Sequence, residues 1–283
     1  MKRKQHPVLK RLLADRKAAF CLAFLALEIL LLLILPLFLG QDPNLTDKTA
    51  GFWAPPSSEH LLGTDDVGRD ILARLLYGGQ ISLLVGYLSA ILGTLLGVPL
   101  GLLAGYKGGK WEYWIMRACD TFQAFPSLIL VLCLVSLLGP SVWNIILVQG
   151  VLGWSSVARL VYGSTLSVKE KEYVEASRAL GATDRAILFR TVLPNVIASV
   201  WAAFPMKVGR AILSESSLSF LGVGLRTPQA SWGNLMQNAL ELITLTTRPW
   251  AWIPPGLCIV VTVLALLLVG EGLRKALNPR GSR

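Results

Sequence analysis

The chain has 283 residues, of which 53% are hydrophobic and only 16% are charged, and its formal net charge is +10. Soluble domains carry about 25% charged residues, so this composition excludes an ordinary soluble protein and indicates a membrane protein with several spans. The positive charge alone would also suit nucleic-acid binding, but the distribution of the basic residues along the chain argues against that function.

Six apolar stretches have the length of roughly 20 residues that an α-helix needs to cross the hydrocarbon core. They cover residues 18–39, 80–105, 114–138, 144–164, 195–222 and 250–270. Of the 27 Lys and Arg residues, 20 lie in the segments on one side of these spans and 5 on the other. Because basic residues concentrate on the cytoplasmic side, both termini are predicted to lie in the cytoplasm.

The chain begins with a basic tail, residues 1–17, which is predicted to be cytoplasmic. The apolar run that follows is too long for the core of a secretory signal, so it is predicted to remain as the first transmembrane helix. Residues 18–79 are assigned to this helix and an external loop. In that loop, Thr64, Asp65 and Asp66 are predicted to cap an amphipathic helix that lies at the membrane interface and leads into the second span.

The other spans are assigned to one transmembrane domain, residues 80–272, which is followed by a cytoplasmic tail, residues 273–283. The second span carries glycines in steps of four: Gly93, Gly97, Gly101 and Gly105. Small residues at this spacing let two helices approach closely in lipid. The pattern predicts a tight helix-packing seam along this span.

A short internal loop between the second and third spans contains Gly109-Lys110. A phosphate-binding loop would need glycine five residues before Gly109 and Ser or Thr after the lysine, but those positions hold Ala104 and Trp111. The four cysteines lie in apolar segments without metal-ligand spacing. We therefore expect this chain to bind no nucleotide, metal or other cofactor of its own.

The segment between the fourth and fifth spans has the pattern of two helices with a break. A helix is predicted over residues 169–180, and Gly181 suits its C-terminal end. Thr183 or Asp184 can cap a second helix, whose apolar run is predicted to end at Pro194.

We call residues 169–194 the elbow. Lodged between spans on the basic side, it could stand off the membrane where another protein can push on it. It could equally lie on the bilayer surface as an amphipathic segment, and the pattern leaves both interpretations open.

The fifth span contains Lys207, Arg210 and Glu215. A charge near the bilayer centre costs about 2.5–3.5 kcal/mol on insertion scales, so such groups usually face protein or water. One hypothesis is that all three line a pathway through the bundle, where they bind a substrate carboxylate or keep the pore hydrated. The alternative is an ion-pair network across a subunit interface, or a position nearer the membrane surface. Glu28 in the first span is expected to pack or pair.

The elbow resembles the cytoplasmic signature of importer-type ABC permeases: E-A-A, three residues, G, nine residues, then I-x-L-P. The matching residues here are Glu175, Ala176, Gly181, Leu193 and Pro194. Two positions depart mildly from the signature: Ser177 replaces the second alanine and Thr191 replaces the isoleucine.

Separated blocks between about residues 58 and 280 resemble the peptide/nickel branch of these permeases, and specifically its second, C-type subunit. They include LLGTDDVGRDILARLLYGGQISLLVGY, ILSESSLSFLGVG and VGEGLRKALNPR. Gln80, where the branch commonly has Arg, and Leu266-Leu267 are departures outside the elbow.

The resemblance implies an all-α fold of six transmembrane helices, the type I ABC importer permease fold, in the bacterial inner membrane. It implies that the elbow docks into a cleft on a cytoplasmic ABC ATPase, with Glu175, Ala176 and Gly181 in the contact. The implied partners are a homologous permease subunit, two ATPase subunits or domains that bind ATP and Mg, and an extracytoplasmic solute-binding protein. By this resemblance the subunit is not itself catalytic.

The substrate implied by the resemblance is a di- or oligopeptide, with nickel or a metal–chelator complex as the alternative. The two histidines, His6 and His60, lie outside the spans, which argues weakly against capture of a bare metal ion. A secondary transporter would need its own ion site, and internal inverted repeats would favour it. A membrane enzyme would need a polar catalytic cluster, and no such pattern is present in the sequence.

Overall fold

The computed structural model describes residues 6–40 and 42–277, and this part of the chain is almost entirely helical. The first six α-helices are α1 (His6–Ala14), α2 (Arg16–Leu39), α3 (Ile71–Lys107), α4 (Gly109–Ala124), α5 (Ser127–Leu138) and α6 (Val142–Lys169). The next six are α7 (Glu172–Ala179), α8 (Asp184–Ile187), α9 (Leu193–Phe220), α10 (Trp232–Met236), α11 (Leu242–Thr247) and α12 (Pro249–Leu277). A π-helical turn, Leu188–Val192, joins α8 to α9, and a 3-10 turn, Gln237–Leu240, follows α10.

Five single helices are long and apolar enough to cross a membrane, and they correspond to the predicted spans other than the third. The third predicted span, residues 114–138, is not one helix, because α4 and α5 meet at an angle of 85°. Pro126 causes the break: a residue before proline avoids the helical conformation, and Phe125 is extended with φ −96° and ψ 144°.

The bent pair still carries the chain across the bundle as a sixth span. Near the start of α4, Glu112 accepts a hydrogen bond from Tyr162, which lies near the end of α6. In α5, Val135 is buried in the same cluster as Ile145, which lies near the start of α6. The two contacts are therefore at opposite ends of α6. The pair therefore links the two ends of α6 and counts as one broken span, which gives up to six crossings in all.

The two predicted tails are partly helical. In α1, Leu12 packs with Ala18 of α2 and with Ala276 at the end of α12, so the first and last helices meet at the same end of the bundle. Helix α12 continues through residues 273–277. Residues 1–5 and 278–283, at the ends of the predicted tails, lie outside the described residues.

The glycines of the second span lie along the contact between α3 and α6. A Cβ atom on Gly97 would lie 2.5 Å from Val157 Cβ, and one on Gly101 would lie 2.4 Å from the carbonyl oxygen of Ala158. Gly93 and Gly105 face α6 in the same way, at Gly150 and Thr165. The two backbones touch because no side chain separates them. This contact places α3 beside about half of the length of α6, from Gly150 to Thr165.

Gln80 has a structural role in the contact between α2 and α3. In a regular helix the carbonyl oxygen of Leu32 would accept a hydrogen bond from residue 36, but Pro36 has no N–H group. The side-chain amide of Gln80 donates to that oxygen instead, at 2.6 Å. An unpaired carbonyl inside a membrane is costly, so Gln80 both satisfies this group and joins the two helices.

The external loop ahead of α3 differs from the prediction. Asp70, not Thr64, Asp65 or Asp66, caps the helix: its side chain accepts from the Ala73 amide at 2.7 Å. The described residues 42–70 contain no separate interfacial helix, since the apolar residues that suggested one form the first turns of α3.

The predicted caps are instead contacts within the loop. The Thr64 hydroxyl accepts from the Ala54 amide at 2.8 Å. Asp65 forms ion pairs with Arg69 at 2.7 Å and with Arg74 of α3 at 3.4 Å. Thr64 and Asp65 are thus engaged in contacts other than helix capping, and the exposed Asp66 pairs with Arg69 at 3.4 Å.

A buried histidine connects two parts of this loop. His60 Nδ1 lies 2.8 Å from Asp70 Oδ2, and His60 Nε2 lies 3.4 Å from Asp47 Oδ2. The hydrogen bond to Asp70, followed by the weaker interaction with Asp47, raises the pKa of His60 above its ordinary value, against the opposing effect of burial. Hydrogen bonds from Thr49 lower the pKa of Asp47 to about 2, so Asp47 remains charged when His60 titrates.

We expect the loop to lose stability as the pH rises from about 6.5 through the raised pKa of His60. The folded loop favours protonated His60, so its stabilising effect is complete below the unfolded pKa and disappears above the folded one. Hydrogen exchange of residues 57–70 at pH 6 and pH 8 measures this change. A His60→Gln variant shares the intrinsic pH dependence of exchange. An equal loss of protection between pH 6 and pH 8 in both proteins would show that His60 does not cause the pH dependence of the loop.

Candidate functional site

The elbow has an exposed outer surface. On α7, Glu175 and Ala176 are exposed, and Glu175 forms no ion pair with any described residue. Leu180 is 88% exposed and Phe189 is 61% exposed. Both apolar side chains are therefore available to a partner protein or to the membrane surface.

The signature residues of the elbow occupy different positions on it. Gly181 has φ +81°, a left-handed conformation that ends α7 and that other residues rarely adopt. Thr183 caps α8 by accepting from the Ala186 amide at 3.3 Å. Ser177 is half-buried, and its hydroxyl donates to the Tyr173 carbonyl inside α7 at 2.8 Å. The hydrogen-bonding capacity of the serine hydroxyl is therefore used within the helix, and serine replaces alanine here without a contact to another element.

The second half of the elbow differs from the prediction at Pro194, which does not end a helix. It lies in the first turn of α9, and the chain continues from α8 through the π-helical turn into the fifth span. Pro194 cannot donate to the carbonyl of Arg190, so the regular ladder is already interrupted there. The Leu193 amide donates to Leu188, five residues back, and the Asn195 side chain donates to Thr191 at 2.6 Å.

The inner surface of the elbow is packed into the spans. Val174 of α7, Ile187 of α8 and Val192 of the π-helical turn are all buried. They share one apolar cluster with residues of α3, α6 and α9, which are Leu102, Val157, Val161, Val196 and Val200. The buried cluster would therefore transmit a displacement of α7 to three spans, since close-packed interiors transmit strain.

Polar contacts also tie the elbow to the end of α3. Tyr106 donates to Asp184 at 2.7 Å, and Lys169 donates to the Tyr106 carbonyl at 3.1 Å. No local sequence signal predicts this contact between Tyr106 and Asp184. They lie 78 positions apart, and only the fold brings them together.

Lys207 and Arg210 face a cavity at the middle of the bundle, which we call the polar cavity. Its volume is about 400 Å³, it is open on one side, and α3, the α4–α5 break, α6 and α9 line it. Lys207 donates to the Gly153 carbonyl at 3.1 Å and to the Ser156 hydroxyl at 2.8 Å. Within the described residues, neither cation has an acidic partner.

Glu215 does not line the polar cavity, so the grouping of all three charges is wrong. Its side chain is fully buried between α3 and α9. It accepts from Ser82 at 3.1 Å and from Ser219 at 2.8 Å. The same serine hydroxyls accept from the backbone amides of Trp232 and Leu225. Glu215 thus organises the docking of the loop after α9 through these two serines. It does not reach the cavity because it lies eight positions from Lys207, and its side chain leaves the helix on a different face.

Glu28 also lies inside the bundle, where it accepts a hydrogen bond from Thr262 of α12. Two further polar residues that the sequence analysis missed line the polar cavity, Ser89 of α3 and Gln149 of α6. Both are buried, at 4% and 8% exposure. A lone glutamine within the apolar run of residues 142–152 was a signal that could have identified the second.

Comparison with known proteins agrees with this arrangement. Residues 97–283 match the family model described as "Binding-protein-dependent transport system inner membrane component". The oligopeptide transport system permease protein OppC of Bacillus subtilis is 37% identical over 270 residues, which is 95% of this chain and 88% of that protein. The glutathione transport system permease protein GsiD of Pectobacterium atrosepticum is 42% identical over 225 residues, covering 80% of this chain and 74% of that one.

The fold is that of a type I ABC importer permease. A chain of the MetNI methionine ABC transporter, solved in inward-facing conformations, superposes with a TM-score of 0.60. The superposition covers 73% of this chain and 97% of that one at 19% sequence identity, so it supports the fold alone. Six crossings, an exposed elbow packed on three spans, and the family match over residues 97–283 lead to one assignment. The chain belongs to the family of binding-protein-dependent transport system inner membrane components, as a multi-pass protein of the bacterial inner membrane.

Proposed function

We propose that this chain is one permease subunit of an ATP-driven importer for di- or oligopeptides. A homologous permease completes the translocation pathway, two cytoplasmic ABC ATPase subunits or domains supply the energy, and an extracytoplasmic binding protein delivers the substrate. ATP and Mg bind to the ATPases, and this subunit carries out no chemical step. The elbow is the observation that carries the proposal.

The elbow has the two surfaces that a mechanical coupling element needs. Its outer surface offers a carboxylate at Glu175, a small side chain at Ala176 and the exposed apolar Leu180 to a partner. Its inner surface places Val174 and Ile187 against the spans. Closure of the ATPases would move α7, and the buried cluster would pass this movement to α3, α6 and α9. Alternating access then needs two arrangements of similar free energy, each favoured by a different state of the partner.

The substrate class follows from the relatives. One is named for oligopeptide transport and the other for glutathione transport, and glutathione is itself a peptide. Both are similar to this chain over most of its length. A peptide substrate is therefore preferred to nickel or a metal–chelator complex.

Uptake by the reconstituted complex tests the proposal. Proteoliposomes would contain this chain, its permease partner and the ATPases, with the binding protein and labelled peptide on the extracytoplasmic side. We expect accumulation only with ATP and Mg on the ATPase side, and no effect when ionophores collapse ion gradients. Uptake driven by an ion gradient without ATP would reject the proposal in favour of a secondary transporter. In the same vesicles, a cysteine at Ala176 should crosslink to the ATPase.

A further inference from the structure

We propose that the polar cavity binds a carboxylate group of the substrate in transit. This inference rests on the proposed function and adds a subsite to it. The cavity lies at mid-height, since Ser89 is the central residue of α3, and Ser156 and Lys207 are next to the centres of α6 and α9. A substrate crossing the bundle would meet this site halfway.

The charge of the cavity favours an anion. Lys207 and Arg210 both line it, and none of the described residues around it is acidic. The Lys207 ammonium has three N–H groups, and two of them are used by Gly153 and Ser156. The Arg210 guanidinium has five N–H groups and no hydrogen-bond partner among the described residues. Its planar fork matches the two oxygens of a carboxylate.

The α4–α5 break adds further donors. Phe125 and Ser127 line the cavity, so the N-terminus of the 12-residue helix α5 opens onto it. No side chain caps this end, and the amides of Ser127 and Leu128 have no acceptor in the described chain. A helix N-terminus carries about half a positive charge, which favours an anion in a site with few other dipoles.

Two buried side chains point independently to a ligand. Both side-chain polar atoms of Gln149 and the hydroxyl of Ser89 have no hydrogen-bond partner among the described residues. Leaving buried polar groups unpaired costs free energy, and both residues line the same cavity as the two cations. A carboxylate with its adjoining peptide group would accept from the donors and donate to the Gln149 oxygen. A volume of about 400 Å³ is near the lower end of small-molecule sites and suits the end of a peptide.

Charge-selective labelling tests the anion preference directly. Ser214 lines the cavity, so a Ser214→Cys complex would be prepared with Cys21, Cys119, Cys133 and Cys258 replaced by alanine. Its reaction rates with an anionic and a cationic methanethiosulfonate are compared in nanodiscs. We expect the anionic reagent to be favoured, and Arg210→Gln to reduce the ratio of rates roughly tenfold. Arg117→Gln, which removes an exposed cation of α4, is the matched control and should leave the ratio unchanged.

Ligand protection identifies the recognised group. Trialanine should slow the labelling of the same cysteine, trialanine amide should not, and Arg210→Gln should abolish the protection. Equal protection by the two peptides, protection by neither, or a rate ratio unaffected by Arg210→Gln would overturn the inference. Arg210 forms no hydrogen bond or ion pair with any described residue, so assembly of this variant is expected to be normal, and gel filtration of the complex checks it.

The failure of this inference is distinguishable from failure of the proposed function. ATP-dependent peptide uptake by the wild-type complex without selective protection would reject the carboxylate subsite and keep the importer. Selective protection by trialanine without ATP-dependent peptide uptake would keep the subsite and reject the peptide importer.

Discussion

Reversing the charge at Glu175, or replacing Ala176 with tryptophan, is expected to abolish most ATP-dependent uptake while the subunit still folds. Both side chains are exposed, so neither change disturbs the buried cluster beneath α7. At a protein interface, losing one central contact commonly costs about 2 kcal/mol, or roughly a thirtyfold loss of affinity. The measurements are peptide uptake in proteoliposomes and co-purification of the ATPase with Glu175→Arg and Ala176→Trp.

Lys110→Glu is the matched control for the charge reversal. Lys110 is exposed at the start of α4, on the same side of the membrane but outside the elbow. We expect this variant to bind the ATPase and transport as the wild type does. Normal uptake by both single variants, Glu175→Arg and Ala176→Trp, would show that force does not enter through α7. A lower melting temperature of the isolated subunit would indicate a folding defect instead.

Adding a single methyl group to the glycine seam should destabilise the bundle more than any comparable surface change. At Gly97 a new Cβ would lie 2.5 Å from Val157 Cβ and 2.6 Å from the Trp154 carbonyl oxygen. Those neighbours are backbone or branch-point atoms that cannot move aside, so α3 and α6 must separate. Overpacking of this kind costs about 1–3 kcal/mol. We expect Gly97→Ala and Gly101→Ala each to lower the melting temperature of the detergent-solubilised subunit and its yield in the membrane.

Gly163→Ala is the matched control, because the same added methyl group is expected not to destabilise the bundle. Gly163 lies in α6, close to the seam, but a Cβ there would have no atom within 4 Å outside the helix itself. Alanine is favoured over glycine inside a helix by up to about 1 kcal/mol, so this variant should melt at the same or a higher temperature. Equal destabilisation by all three substitutions would show that the seam is not a close contact.

Local sequence patterns were sufficient for several features. Apolar length predicted five spans as single helices, because a span must satisfy its backbone internally and therefore appears as a continuous apolar run. Gly181 and Thr183 marked the helix break of the elbow, since a left-handed conformation and a capping hydroxyl are local requirements. The elbow signature also led to the family that the comparisons show.

Other features depended on residues that are distant in sequence. Two prolines had effects that the sequence did not predict. Pro126 breaks the third span, whereas Pro194 does not end its helix, because a π-helical turn shifts the hydrogen-bond register before it. Asp70 rather than Asp65 caps α3, because Arg69 and Arg74 hold Asp65 in ion pairs. The local sequence shows which residues could cap the helix, but not which of them are held in ion pairs in the folded protein.

By itself, the sequence determined the membrane class, up to six crossings and the presence of the elbow between two spans. Each of these depends on composition or on spacing within one segment. Only the tertiary structure separated Glu215 from Lys207 and Arg210, and placed Gln149 and Ser89 beside those cations. The physical reason is that a helix fixes the direction of each side chain, but only packing decides whether that direction leads to another helix or to a cavity.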